Sequence, residues 1–161
     1  MAIPLHLWLT DGDGTPVQGS SQVAGREGSI EVLSFLHSIH QPADQNTGRL
    51  TGRRSHQPIV IEKELDKSSP VLYLAVARGL TLKAAEFKWY RTNEAGREEE
   101  YFNTSLLNVK IVSVSPRVPN IKDVQSQHLN HFETVELIYE EIRWAWLDGN
   151  LICKDGWNMV W

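Results

Sequence analysis

The chain has 161 residues, 41% of them apolar and 22% charged, which fits one domain large enough to bury an independent core. A net charge of −4 argues against general nucleic-acid binding, which draws on excess Lys and Arg to neutralise phosphates. No apolar run approaches the roughly 20 residues that a bilayer-crossing helix needs, and Cys153, the single cysteine, excludes an intrachain disulfide and fits folding in a reducing compartment. The opening MAIPLHLWLTDGDG lacks the basic stretch and small-residue cleavage site of a secretory signal.

Ile3, Leu5, Leu7 and Leu9 alternate with Pro4, His6, Trp8 and Thr10, which predicts a first strand. Asp11-Gly12-Asp13-Gly14 reads as a turn, and Thr15-Pro16 opens a short second strand. Ser29 to Ile39 reads as one strand apolar on both parities. Ile30, Val32, Ser34 and Leu36 share one side; Glu31, Leu33, Phe35, His37 and Ile39 share the other. Such a strand must cover both faces, with core on one side and a neighbouring subunit on the other. Residues 41–58 form an extended polar loop with no apolar period, too long for a default connection. Ile59, Ile61, Lys63 and Leu65 alternate with Val60, Glu62 and Glu64 as the next strand.

The one helix is expected over about 69–79. Ser69 suits the N-cap, Pro70 the first turn and Gly79 the left-handed stop, with Leu72, Ala75 and Val76 on one face. So short a helix must pack on the sheet to persist. Ala85, Phe87 and Trp89 then alternate with Glu86, Lys88 and Tyr90, and Thr92 to Gly96 supplies the reversal. Tyr101 to Val114 continues as a long strand, or a pair of strands, stopped by Pro116. A final pair spans His131 to Ile152 around Asp148-Gly149-Asn150. Its apolar parity changes from Val135, Leu137 and Tyr139 to Ile142, Trp144 and Trp146, which predicts a bulge near Glu140-Glu141. Trp89, Trp144 and Trp146 are assigned to the core, and Trp8, Trp157 and Trp161 to core or interface. No repeat or second domain is visible, so one domain over 1–161 is expected.

Chemistry is sparse. The pairs His37/His40 and His128/His131 fall on opposite faces of any strand, so scattered surface histidines are favoured over a metal site. The aspartates of the 11–14 turn lack the later ligands of a calcium loop, residue 22 being Gln. Gly48 to Gly52 lacks the Gly-Lys-Ser/Thr ending of a phosphate loop. No Ser, His and Asp set or paired-carboxylate spacing marks a hydrolase. Glu98 to Glu100 and Glu140-Glu141 read as solvated faces or ring contacts, and Cys153 as a small packed residue. No cofactor and no catalytic role are expected. The six Trp leave one rival open, a monomeric Trp-lined β-sandwich that binds a glycan.

The hairpin strings EFKWYR from Glu86 and EYFNTSL from Glu100 resemble the Hcp family, the tube protein of the bacterial type VI secretion apparatus. The likeness extends through AIPLHLWL from Ala2, REGSIEVL from Arg26, NTGRLTGRRSHQP from Asn46 and KELDKSSPVLYLAVARGLTLKAAEFKWYR from Lys63. It ends with HFETVELIYEEIRWAWLDGN from His131 and Asp155-Gly156-Trp157. The resemblance implies a mainly β fold: a small β-barrel of two packed antiparallel sheets with one short helix. It further implies a homohexameric ring that stacks into an expelled tube, with the spike protein, the contractile sheath and small effectors as partners. The route it implies is cytoplasmic folding followed by export without a cleaved signal peptide and without membrane insertion. A C-terminal effector extension is expected to be absent. The segment Asn46, Thr47, Gly48, Arg49, Leu50, Thr51, Gly52, Arg53, Arg54 corresponds to the family's extended loop between stacked rings. Ser34 and Leu36 are the candidate lumen-facing positions.

Overall fold

Alternating apolar residues do build strands here, but the strands exchange partners more often than their sequence suggests. The computed structural model describes residues 2–160. Within them, β1 is Leu5–Thr10, β2 Pro16–Val17, β3 Ile30–Val32, β4 Ser34–Leu36, β5 Ile39–His40, β6 Ser55–His56 and β7 Ile59–Glu64. The helix α1 is Ser69–Arg78, followed by β8 Thr81–Thr92, β9 Glu98–Arg117, a 3-10 turn Val124–Ser126, β10 Phe132–Ile138, β11 Glu141–Trp146 and β12 Leu151–Gly156.

The fold is mainly β with one helix and two sheets, as expected, one of ten strands and one of two. Ten strands form a single antiparallel sheet in the order β2-β1-β8-β9-β10-β7-β4, with β11 on β9, β12 on β11 and β3 on β1. Only β5 and β6 pair separately. The ten-stranded sheet is not a closed hydrogen-bonded ring, so "barrel" describes it approximately. The chain itself spans the seam: β3 pairs with β1, β4 pairs with β7, and between them the Leu33 N–H donates to Glu62 O at 2.8 Å.

That seam corrects the reading of Ser29 to Ile39 as one strand. Ile30 and Val32 are buried while the chain lies on β1. After Leu33, Phe35 turns inward to meet Phe87 and Trp89 edge-on at 5.1 and 5.0 Å, and Ser34 and Leu36 turn outward. Leu36 therefore does not share the side of Ile30 and Val32. The two apolar parities record a change of sheet partner within the chain.

A second correction concerns the expected bulge at Glu140-Glu141. The inward parity does flip there, from Leu137 and Tyr139 to Ile142. Yet Ile138 pairs with Lys110 and Glu141 with Leu107, one unbroken register, so no extra residue is inserted. The facing strand flips at the same level, from Leu106 to Val109, through Asn108 at a φ of 50°. Asn108 Nδ2 donates to Glu140 Oε2 at 2.6 Å, and Glu140 N donates to Leu107 O. β8 flips beside them, between Leu82 and Ala85. The corner is thus a coordinated bend across neighbouring strands, and Asn tolerates the left-handed backbone it needs. The register of β10 on β9 slips elsewhere, between Glu136 and Leu137.

The helix cap sits one residue earlier than expected, at Ser68, with no side-chain cap bond. Gly79 does close the helix in the left-handed region, its N–H reaching Ala75 O and Val76 O. Leu72 and Ala75 are buried, with Val76 packed against the core. Of the tryptophans, Trp89, Trp144 and Trp157 pack against the core, whereas Trp146 is 39% exposed and is not a core residue. Trp161 lies outside the described residues.

Candidate assembly surfaces and buried polar clusters

The 41–58 segment is more regular than its composition suggests. Asp44 Oδ1 accepts from Asn46 N at 2.7 Å and Thr47 N at 3.1 Å, and Gly48 takes a φ of 72°. Ala43 bridges Leu50, Asp44 N donates to Arg49 O, and β5 pairs with β6 at the base. The result is a small two-armed hairpin standing off the main sheet. Asn46, Thr47, Gly48, Arg49, Leu50, Thr51, Gly52 and Arg53 are all exposed at its tip, Leu50 by 63%. Arg54 is not: its Nε and Nη2 grip Asp155 of β12 at 2.5 and 2.9 Å, and Nη2 also donates to Gly156 O. Arg54 therefore fixes the root of the hairpin to its own subunit, leaving Arg49 and Arg53 as the tip's exposed cations.

Ser34 and Leu36 lie on the outward face of β4-β7-β10-β9. The register aligns Ser34, Glu62, Thr134 and Ser115 in one row and Leu36, Val60, Glu136 and Ser113 in the next. This surface carries hydroxyls and carboxylates, with Leu36, 64% exposed, near its edge. A branch of the sheet, on the same side of β9 as β10, ends in β12, which among the described residues pairs only with β11 and leaves its other edge open. Leu151 and Ile152 are 66% and 49% exposed there, and Cys153 is exposed instead of packed as expected.

Three buried polar clusters escaped the sequence reading. Lys63 of β7 and Glu133 of β10 are cross-strand partners, both fully buried, with Nζ 2.5 Å from Oε1. Ser69 Oγ donates to the same Oε1 and Asp66 Oδ1 lies 3.1 Å from Nζ, so the pair also moors the start of α1. The signal was present: Lys63 shares the parity of Ile59 and Ile61, and Glu133 that of Val135 and Leu137.

His6 and His56 are not surface histidines. Ser29 Oγ donates to Arg26 O, so His6 Nδ1–H must donate to Ser29 Oγ, at 2.8 Å. The Arg26 guanidinium lies 3.6 Å over the Tyr90 ring and pairs with Glu98 at 2.7 Å. Burial, reinforced by Arg26, pushes the His6 imidazole down to about 4. His56 sits in a third cluster with His37, Tyr139, Asp155 and Arg54, roofed by Trp157, which stacks on the His56 ring at 5.7 Å. The acidic runs are partly engaged as well, Glu98 with Arg26 and Glu99 with Arg91. The 11–14 segment is the expected turn, Asp11 Oδ1 accepting from Asp13 N and Thr15 N.

Among the described residues no group of acidic, histidine or cysteine side chains is placed to hold a metal ion, and no helix is long and apolar enough to cross a membrane. Among the described residues, Trp8 lies under the Lys88 ammonium, and Trp89 donates from Nε1 to Thr104 Oγ1.

Residues 7–146 match the family described as "Type VI secretion system effector, Hcp". The chain is 35% identical over 140 residues to the "Major exported protein" of Pseudomonas aeruginosa, covering 87% of this chain and 81% of that one. Among solved structures, Hcp1 from the E. coli EAEC 042 pathovar is 52% identical, with a TM-score of 0.86 over 97% of this chain and 99% of that one. The secreted protein Hcp3 of Pseudomonas aeruginosa is 27% identical, with a TM-score of 0.78 over 97% and 99%. With the family match, the likeness to an exported relative and the shared fold agreeing along nearly its whole length, the chain belongs to the Hcp family of type VI secretion proteins.

Proposed function

We propose that this chain is a structural subunit of the type VI secretion tube, one domain that joins identical copies into closed six-membered rings, which stack. The observation that carries this reading is the open edge of β12. A free strand edge bearing exposed Leu151 and Ile152 is a template for pairing, and a head-to-tail contact that closes by rotation removes it. The outward face of β4-β7-β10-β9, with Ser34 and Leu36, would then look into the lumen, where hydroxyls and carboxylates suit transient passage of small effectors. The spike and the sheath follow as partners from family membership, as does export without a cleaved signal peptide. The glycan-binding alternative is not favoured: Trp89, Trp144 and Trp157 pack against the core, and the exposed Trp146 is already covered in part by Arg91 and Tyr101.

The hairpin tip would reach toward the next ring, with Arg49 and Arg53 meeting acidic side chains. Charge reversal at both, Arg49→Glu with Arg53→Glu, is expected to reduce stacking at least tenfold, about 1.4 kcal/mol or more, while the ring's mass stays unchanged. Sedimentation of stacked particles at moderate salt reads this directly. Undiminished long tubes from the double variant would remove the tip from the stacking contact.

A further inference from the structure

A buried polar cluster lies at the hairpin's root. Four separated stretches of chain meet there: His37 after β4, Arg54 and His56 around β6, Tyr139 at the corner after β10, and Asp155 of β12. His56, Tyr139 and Asp155 are each at most 8% exposed. Tyr139 Oη lies 2.8 Å from His37 Nε2 and 2.6 Å from His56 Nδ1, and His56 Nε2 lies 2.8 Å from Asp155 Oδ2. Trp157 closes the site, stacked on His56 and edge-on to Tyr139 at 5.4 Å. The nearby Glu140 carboxylate is turned away onto Asn108.

Counting donors fixes the protons. Asp155 accepts from His56 Nε2–H and from Arg54. With both histidines neutral, His56 Nδ1 accepts from the Tyr139 hydroxyl, whose oxygen accepts from His37 Nε2–H. One added proton is tolerated. If His56 becomes doubly protonated, its Nδ1–H donates to Tyr139 Oη and the hydroxyl turns to His37 Nε2; if His37 takes the proton, the original chain persists. Two added protons are not tolerated. Then His37 Nε2–H, His56 Nδ1–H and the hydroxyl's own hydrogen converge on one oxygen, and the hydroxyl has no acceptor. Two imidazolium rings would also flank the Tyr139 hydroxyl beside the Arg54 guanidinium, and the Asp155 carboxylate, shared by His56 and Arg54, offsets only part of that charge. A buried donor without an acceptor costs far more than an ordinary hydrogen bond contributes.

We infer that this cluster is an acid-sensitive latch, which clamps the root of the 41–58 hairpin to the C-terminal segment 155–159 and releases both when His37 and His56 are protonated together. Burial and the neighbouring His56 hold the His37 imidazole below its ordinary value, so the doubly protonated pair is not the resting state near neutrality. Burial and the Asp155 carboxylate raise the Tyr139 phenol, which keeps its hydrogen throughout. The latch lies wholly within one subunit and does not rest on ring formation; any effect of its release on stacking would rest on the proposed function.

Hydrogen–deuterium exchange of the full-length protein, corrected for intrinsic exchange rates and followed peptide by peptide from pH 8 down through 6.5, tests it. Light scattering at each pH separates disassembly from local opening. Protection over 50–58 and 153–159 is expected to fall together, at least tenfold, below pH 6.5, while β8 and β9 stay protected. His37→Gln places an amide near the position of Nε2, can donate to or accept from Tyr139 and cannot take a proton, so it should keep both segments protected through the same range. Tyr139→Phe should expose both segments already at pH 8 and flatten the pH response. Equal loss in the wild type and in His37→Gln, protection of the wild type at every pH, or opening of one segment without the other would overturn the latch.

Discussion

Replacing Lys63 with Met will cost about 3–5 kcal/mol of stability, the range for stripping one partner from a buried ion pair. The ammonium of Lys63 is fully buried and lies against Glu133 Oε1 at 2.5 Å, with Asp66 and Ser69 around it. Met keeps the aliphatic stem, so the loss reports the uncompensated carboxylate and not a cavity. Glu133 Oε2 already lacks a hydrogen-bond partner among the described residues, which leaves it little to fall back on. The double variant Lys63→Met with Glu133→Leu should return to the wild-type value or exceed it, because the desolvation of two ions is then avoided. Urea unfolding at one fixed protein concentration measures both. If the two single losses simply add in the double variant, the pair is not coupled as its geometry requires.

His6 gives the second large effect, and it depends on pH. Its folded value of about 4 lies below the ordinary 6.5, so between these limits the unfolded chain binds the proton and the folded chain does not. Stability from this group is therefore complete above pH 6.5 and declines as pH falls toward about 4; below that both states are protonated and the slope vanishes. At about 1.4 kcal/mol per unit the loss amounts to roughly 3 kcal/mol. His6→Asn puts an amide N–H near the position of Nδ1, keeping a donor for Ser29 Oγ while removing the titration. Its unfolding midpoint should change far less than that of the wild type between pH 7 and pH 4.5. Parallel declines in the two proteins would mean that another group carries the acid sensitivity.

The strand positions were legible because alternation is a local property. Ile59 and Ile61, or Ala85 and Phe87, announce an inward face without reference to anything distant, and Pro70 and Gly79 bracket the helix through backbone constraints alone. What the sequence hid were relations between strands. The parity change at Tyr139 to Ile142 was visible, but its cause needed Asn108, some thirty residues away, to bend in concert. The doubled parity of Ser29 to Ile39 suggested a neighbouring subunit because one strand was assumed to keep one partner; the break at Leu33 hands it from β1 to β7. Lys63 and Glu133 each stood on an apolar parity, and only the register that pairs them explains both. His56, Tyr139 and Asp155 show no local pattern, since the chain assembles them across about a hundred residues. For the exposed hairpin tip, periodicity was silent and the family resemblance supplied the reading.

On the proposed function, identical copies close over the open edge of β12. The mass of the purified full-length protein in solution, by native mass spectrometry or light scattering, tests it most directly. The expected particle holds about six copies of the 18.3 kDa chain, and Ile152→Glu, which places a charge on that edge, should reduce it to single chains. A wild-type protein that remains a lone chain at high concentration, or a ring indifferent to Ile152→Glu, would contradict it.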